Sequence, residues 1–180
     1  MDKKQCPESC PLKYNGCQTS EGFGDFRKRI LFIAHRGDER VLQPALFGNK
    51  HEQAIIGTDS GKSLLEILNH CGLKIEDIRF TNILKCILAQ DEKIPSVAYT
   101  CCETNLRSHI ESINPRAIVA FGKPCFEYMF PENQGRNFLK ETGEIYLYHN
   151  RPVLITPHLS KIYRLPKPDE AERIRRFLEE

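Results

Sequence analysis

Thr81-Asn82-Ile83-Leu84-Lys85-Cys86 is a stretch whose residue types could do chemistry, read together with Cys101-Cys102 about fifteen residues later. A strand-like run from Ile78 to Leu84 carries Asn82 near its end and meets Cys86 just beyond. In a parallel α/β sheet, ligands bind outside the carboxyl ends of the strands. An Asn near such an end offers two donors and an acceptor, the pattern needed to read a nucleobase edge. The cysteine beyond it could serve as a metal thiolate. The plainer alternative is an Asn in a turn followed by a buried thiol.

The elements that must position these residues alternate. Arg29 to Ala34 is a continuous apolar run, as a strand buried on both faces requires, and it stops at a charged stretch, residues 35–40. Residues 41–57 have no period and read as a long functional loop. From Ser60 to Leu73 the spacing predicts a helix, with Leu64, Leu65, Ile67, Leu68 and Cys71 on one face, Ser60 as cap and Gly72 as stop. A second helix is expected from about Tyr99 to Ile113, ended by Asn114-Pro115. Ala117 to Phe121 is the next buried strand, and a short helix follows from Pro124 to Phe130. After a glycine-bearing loop, residues 131–143, come two hairpin-like arms, 144–149 and 152–156, turning at Asn150. Residues 168–178 form an amphipathic closing helix.

Strand alternating with helix predicts an α/β fold, a three-layer α/β/α sandwich with a mostly parallel sheet of about four strands. His35 to Glu39, Asn82, Gly122-Lys123 and His158 then open onto one edge of that sheet. A lone His is more often structural, but the place of His158 at the end of the last strand favours function.

With 180 residues, one domain is expected, long enough to bury a core without staples. The net charge of +2 gives no global argument for nucleic acid, though a local basic patch remains open. No apolar run approaches the roughly 18 residues needed to span a membrane. The segment Met1 to Cys6 lacks the apolar stretch of a signal peptide, so an intracellular, cytoplasmic chain is expected. In that setting eight cysteines favour metal binding over disulfides. The N-terminal Cys6-Pro7-Glu8-Ser9-Cys10 and Cys17 lie in an aperiodic stretch that would need a clamp to become ordered. Gly57 to Ser63 invites a phosphate-loop reading, but it has three residues between its glycines where that loop needs four.

These residues resemble the uracil-DNA glycosylase superfamily, most closely its iron–sulfur branch, from about Cys6 to Arg164. Thr81 to Cys86 is similar to that branch's Thr-Asn-Val-Val-Lys-Cys motif. Gly61, Leu64, Leu68, Gly72 and Leu73 match the helix before it, and Cys102, Leu106, Ile110, Pro115, Ile118 and Gly122 the helix and strand after it. His158-Leu159-Ser160, with Arg164 six places after the His, resembles the His-Pro-Ser motif and its later Arg. Cys10-Pro11-Leu12 resembles the N-terminal cysteine pair.

The resemblance implies a DNA repair glycosylase that flips uracil, or a related deaminated base, out of DNA and hydrolyses its glycosidic bond. It implies a single domain over residues 1–180, acting as a monomer on DNA and away from membranes, with residues 1–25 as a cluster-binding segment. It implies a [4Fe–4S] cluster on Cys6, Cys10, Cys86 and Cys102. Cys17 is the alternative to Cys6 and Cys101 the alternative to Cys102, while Cys71 and Cys125 read as inert core thiols. Asn82 would read the base, and His158 would stabilise charge on the departing base. Ile56 stands near the place of a stacking Phe, and His35 would line the base beside it. The segment from Leu159 to Arg164 would press into DNA, with Ser160 on the backbone and Lys161, Arg164 and Lys167 meeting phosphates; a solvated loop is the alternative. The family's Gly-Glu-Ala-Pro-Gly motif is replaced by Ala34-His35-Arg36-Gly37-Asp38, so Asp38, or Glu39, is expected to orient water, with weaker activity. The alternatives are a non-catalytic iron–sulfur protein that binds or senses DNA on the same fold, and an unrelated nucleotide-binding α/β protein.

Overall fold

The computed structural model describes residues 6–12, 22–38, 58–88, 93–162 and 167–180. Five strands form one sheet: β1 (Ile30–Asp38), β2 (Ile78–Leu88), β3 (Ala117–Phe121), β4 (Ile145–Tyr148) and β5 (Arg151–Thr156). Their order is β2-β1-β3-β5-β4, with the first four parallel and β4 antiparallel at the edge. The fifth strand comes from resolving the hairpin-like pair into β4 and β5. His149 and Asn150 make its two-residue turn at φ 48° and 61°, the left-handed pair that matches strand twist.

Alternation along the strands sorts the core into two layers. Leu31, Ile33, Ile118, Ala120, Val153 and Ile155 face one side, against α2 (Ser96–Ile113) and α3 (Lys123–Met129). Ile30, Phe32, Val119, Phe121 and Leu154 face the other, against α1 (Asp59–His70), the turn α5 (Leu159–Ile162) and α6 (Lys167–Glu179). A short α4 (Phe138–Glu141) lies between α3 and β4 in the chain. The three-layer α/β/α sandwich is therefore present. Leu64, Ile67 and Leu68 of α1 are fully buried, each worth about 2 kcal/mol of apolar transfer.

Element ends differ from expectation where tertiary pairing overrides local polarity. β1 does not stop at Ala34; it runs through His35 and Arg36 to Asp38, because β2 continues beside it to Leu88 across a bulge at Arg36/Gly37. Asn82 is consequently mid-strand beside Ala34, and Cys86 lies within β2 rather than beyond it. The cap of α1 is Thr58, whose hydroxyl accepts the Gly61 N–H at 3.0 Å, so Ser60 is inside the helix. Leu73 N–H reaches Leu68 C=O at 2.8 Å past Gly72, as a glycine-closed helix end does. α2 starts at Ser96, a turn earlier than expected.

The exposed edge of β2 is covered by residues 22–28. Phe23 exchanges backbone hydrogen bonds with Phe80 at 3.0 and 2.8 Å, and their rings stack 4.8 Å apart. Gly22 and Gly24 let this strap lie flat, since a Cβ at either would meet a β2 carbonyl oxygen at 2.0 or 2.2 Å. Among the described residues, no helix is long and apolar enough to cross a membrane.

Candidate active site

His158 stands just past β5, at the carboxyl edge of the parallel strands. Thr156 C=O accepts the Gly122 N–H at 2.9 Å, which ties the ends of β5 and β3 together. His158 then opens α5, its C=O accepting from Lys161 and Ile162 N–H at 2.8 and 3.1 Å. The imidazole packs on Gly122. A Cβ there would lie 3.2 Å from His158 Cδ2, and Gly122 holds φ 91°, so the position is closed to larger residues on two counts.

The Ser160 backbone N–H donates to His158 Nδ1 at 3.2 Å, and the Ser160 hydroxyl lies 2.8 Å from the same nitrogen. A backbone N–H can only donate, so Nδ1 is the acceptor and the neutral ring carries its proton on Nε2. Burial, with Lys161 nearby, lowers the His158 pKa and keeps that neutral form. The result is an oriented, uncharged N–H donor.

A second neutral imidazole lies in the second half of β1. His35 Nε2 and the Tyr99 hydroxyl are 2.7 Å apart, and the rings stack at 3°. Tyr99 is brought by the first turn of α2, and its C=O accepts the Tyr128 hydroxyl at 3.4 Å. Burial, then the charges of Arg36 and His158, lower the His35 pKa to about 4. His35 and His158 thus lie within each other's electrostatic reach. The alternation that gives Leu31 and Ile33 to the α2 side gives His35 to it too.

Asn82 is 5% exposed on β2. Three strand spacings separate β2 from β5, about 14 Å, so Asn82 and His158 flank the intervening strand ends rather than touch. Asp38 ends β1 opposite Leu88 as a backbone position; its side chain, together with Glu39, Ile56, Arg164 and the side chain of Lys167, lies outside the described residues. Leu159 and Ile162 are buried at 4% and 2% exposure. They anchor α5 in the core, so only Ser160 and Lys161 of the expected DNA-pressing segment are turned outward among its described residues.

A groove of about 450 Å³ runs beside His158, lined also by Lys123, Arg136, Phe138, Leu139 and Lys161. Tyr99, Arg136 and Leu139 are site residues that the sequence reading missed. Tyr99 sat outside any motif, and Arg136 and Leu139 lay in an aperiodic loop whose fold no periodicity announces.

Five cysteines converge on the α2 side. Cys6, Cys10, Cys86, Cys101 and Cys102 are all buried in the core layer on that side, which also holds Cys125, and Cys10 lies within reach of both Cys101 and Cys102. Burial raises the Cys102 thiol, opposed by the Lys85 backbone N–H that donates to its sulfur; Cys10 and Cys6 lie close enough to act on it. Cys101 is raised by burial too, and its sulfur lies 4.0 Å from the Ser9 hydroxyl. The Lys85 ammonium is buried, donates to the Thr81 hydroxyl, and is lowered by burial to about 8, with Cys102 acting against that. Among the described residues, no three His, Cys, Asp or Glu side chains close on a single metal ion. The donor chemistry, buried thiols brought from three chain segments, is of the kind that an iron–sulfur group takes. Cys71 and Cys125 stand apart, their thiols on the C=O of Ala171 and Ile33 at 3.8 and 3.7 Å; Cys17 is outside the described residues.

The family model of the uracil DNA glycosylase superfamily matches residues 21–180. Among curated proteins, a type-4 uracil-DNA glycosylase of Thermotoga maritima is 27% identical over 172 residues, covering 95% of this chain and 84% of the relative. That of Archaeoglobus fulgidus is 27% identical over 170 residues, covering 86% and 81%. That of Sulfurisphaera tokodaii is 26% identical over 179 residues, covering 96% and 76%.

Proposed function

This chain belongs to the uracil-DNA glycosylase superfamily, and from that membership we propose that it flips uracil, or a related deaminated base, out of DNA and hydrolyses its N-glycosidic bond. The observation that carries the reading is His158: a neutral imidazole with Nδ1 occupied by Ser160 N–H and its proton on Nε2, at the carboxyl edge of the sheet. When the glycosidic bond breaks, its electron pair leaves on the base. Water gives a hydroxyl to C1′ and a proton to the departing base. The Nε2–H of His158 donates to the base oxygen where charge builds. A single preorganised donor of this kind is worth roughly 3–4 kcal/mol.

Asn82 reads the flipped base, its amide offering the acceptor for N3–H and the donor for O4 of uracil. Ile56 and His35 line the base, and Asp38 orients the water. Ser160, Lys161 and Arg164 hold the DNA backbone. Cys6, Cys10, Cys86 and Cys102 hold a [4Fe–4S] cluster, supported by a donor set of buried thiols with a backbone N–H aimed at one sulfur. Bound there, the group supplies a rigid covalent tie between the N-terminal segment, β2 and α2. Residues 1–180 act as one domain and as a monomer. A second reading, a non-catalytic DNA-binding protein, draws on His35 standing where the family has an acid.

A panel of oligonucleotides carrying uracil, hypoxanthine or thymine, incubated with iron-loaded protein and then treated with alkali, tests the proposal. Strand breaks at uracil support it. DNA binding without breaks at any base selects the non-catalytic reading.

A further inference from the structure

We propose that Leu139 is the wedge that enters the DNA base stack beside the flipped nucleotide, with Lys123 and Arg136 holding the phosphates around it. The assignment rests on the glycosylase reading and names its duplex-binding surface. Among the described residues of the turn after His158, the apolar side chains, Leu159 and Ile162, are spent on the core at 4% and 2% exposure. Across the groove, Leu139 is 75% exposed. Its presentation is braced at both ends: its N–H donates to Asn137 Oδ1 at 3.1 Å, and its C=O accepts the Thr142 hydroxyl at 2.9 Å. Phe138 next to it is anchored in the aromatic group around Phe126, with ring centres 6.1 Å apart. An apolar side chain held outward on a stiff turn fits insertion between bases, which apolar wedges accomplish at the cost of unstacking one step.

The charges beside it match the same occupant. Lys123 and Arg136 are 54% and 57% exposed, and each is tethered only loosely, to Glu127 at 3.4 Å and Glu141 at 4.0 Å. With Lys161 they put three cations on one groove that also holds His158. Phosphates flanking a nucleotide in reach of His158 would meet these cations, while the bases meet Leu139. Ile145 and Leu147 are also exposed apolar residues, but they stand on edge strand β4 and do not line the groove.

The test uses the full chain and duplexes with 2-aminopurine next to uracil, whose fluorescence rises when its neighbour leaves the stack. Leu139→Ala should lose most of that rise. It should also lower the ratio of duplex to single-strand excision rate tenfold or more, a change that general misfolding, acting on both substrates, would not produce. Lys123→Gln and Arg136→Gln should each reduce the slope of log affinity against log salt by about one. An unchanged fluorescence rise and rate ratio in Leu139→Ala would overturn the assignment. A concentration-dependent mass in sedimentation that Leu139→Ala abolishes would overturn it too, in favour of a second copy of the chain. The fluorescence needs no bond cleavage, so a wild type that flips without releasing base ends the glycosylase reading and leaves the wedge standing.

Discussion

The role proposed for His158 requires its donor atom to be fixed before the reaction, and two neighbours fix it. Ser160 N–H occupies Nδ1, and Gly122 allows the ring to lie against the end of β3. Gly122→Ala would place a methyl 3.2 Å from Cδ2 at φ 91° and push the ring aside. Because a shift of about 1 Å can cost 10²-fold, the single-turnover excision rate is expected to fall 10- to 100-fold while DNA affinity changes little. An unchanged rate would mean that the ring's position is set elsewhere. The place of His158 was legible in the sequence, as a polar residue ending a buried strand. Its tautomer was not, because that depends on where the Ser160 backbone points. His35 was legible as a member of a charged stretch, but its partner Tyr99 is distant in sequence, and nothing local pairs them.

Among the elements, the buried strands were the most readable. Ile30 to Ala34 and Ala117 to Phe121 are apolar at every position, as strands covered on both faces must be. Their ends were less readable. Parallel pairing with β2 carries β1 past His35 into polar sequence, and a polar residue at a sheet's edge needs no core to stay in a strand. The N-terminal segment is the opposite case. Cys6 and Cys10 are 5% and 3% exposed although the described residues 6–12 form no regular helix or strand, so side-chain packing contributes to holding them. Cys86→Ser and Cys102→Ser are therefore each expected to lose iron, absorbance near 400 nm and several degrees of thermal midpoint together, checked by iron assay and melting. Full iron in both variants would contradict the cysteine assignment, and full iron in Cys102→Ser alone would move that ligand to Cys101.

For the molecule as a whole, buried imidazoles are expected to set the acid limit. Burial lowers His35 and His109 to about 4 in the folded chain, against 6.5 for an ordinary histidine, and His109 Nε2 is buried without a hydrogen-bond partner among the described residues. Between those values the unfolded chain binds more protons, so stability rises with pH there and is lost as pH falls through the window. The urea midpoint should be flat above about pH 7 and decline towards pH 4.5, and His109→Gln should flatten part of the decline. A midpoint that holds constant to pH 4.5 would contradict the burial. The three layers, the common edge and the cysteine-rich side follow from pattern and order along the chain. The groove at Leu139 and the coupling of His35 to His158 arise only when β1, β3 and β5 are set side by side. The central claim, base excision driven by His158, is met most directly by single-turnover release of free uracil from single-stranded DNA by iron-loaded wild type and His158→Ala. Measurable release by the wild type and a loss of 10²–10³-fold in the variant are expected; equal rates in the two, or no release by the wild type with DNA bound, would contradict it.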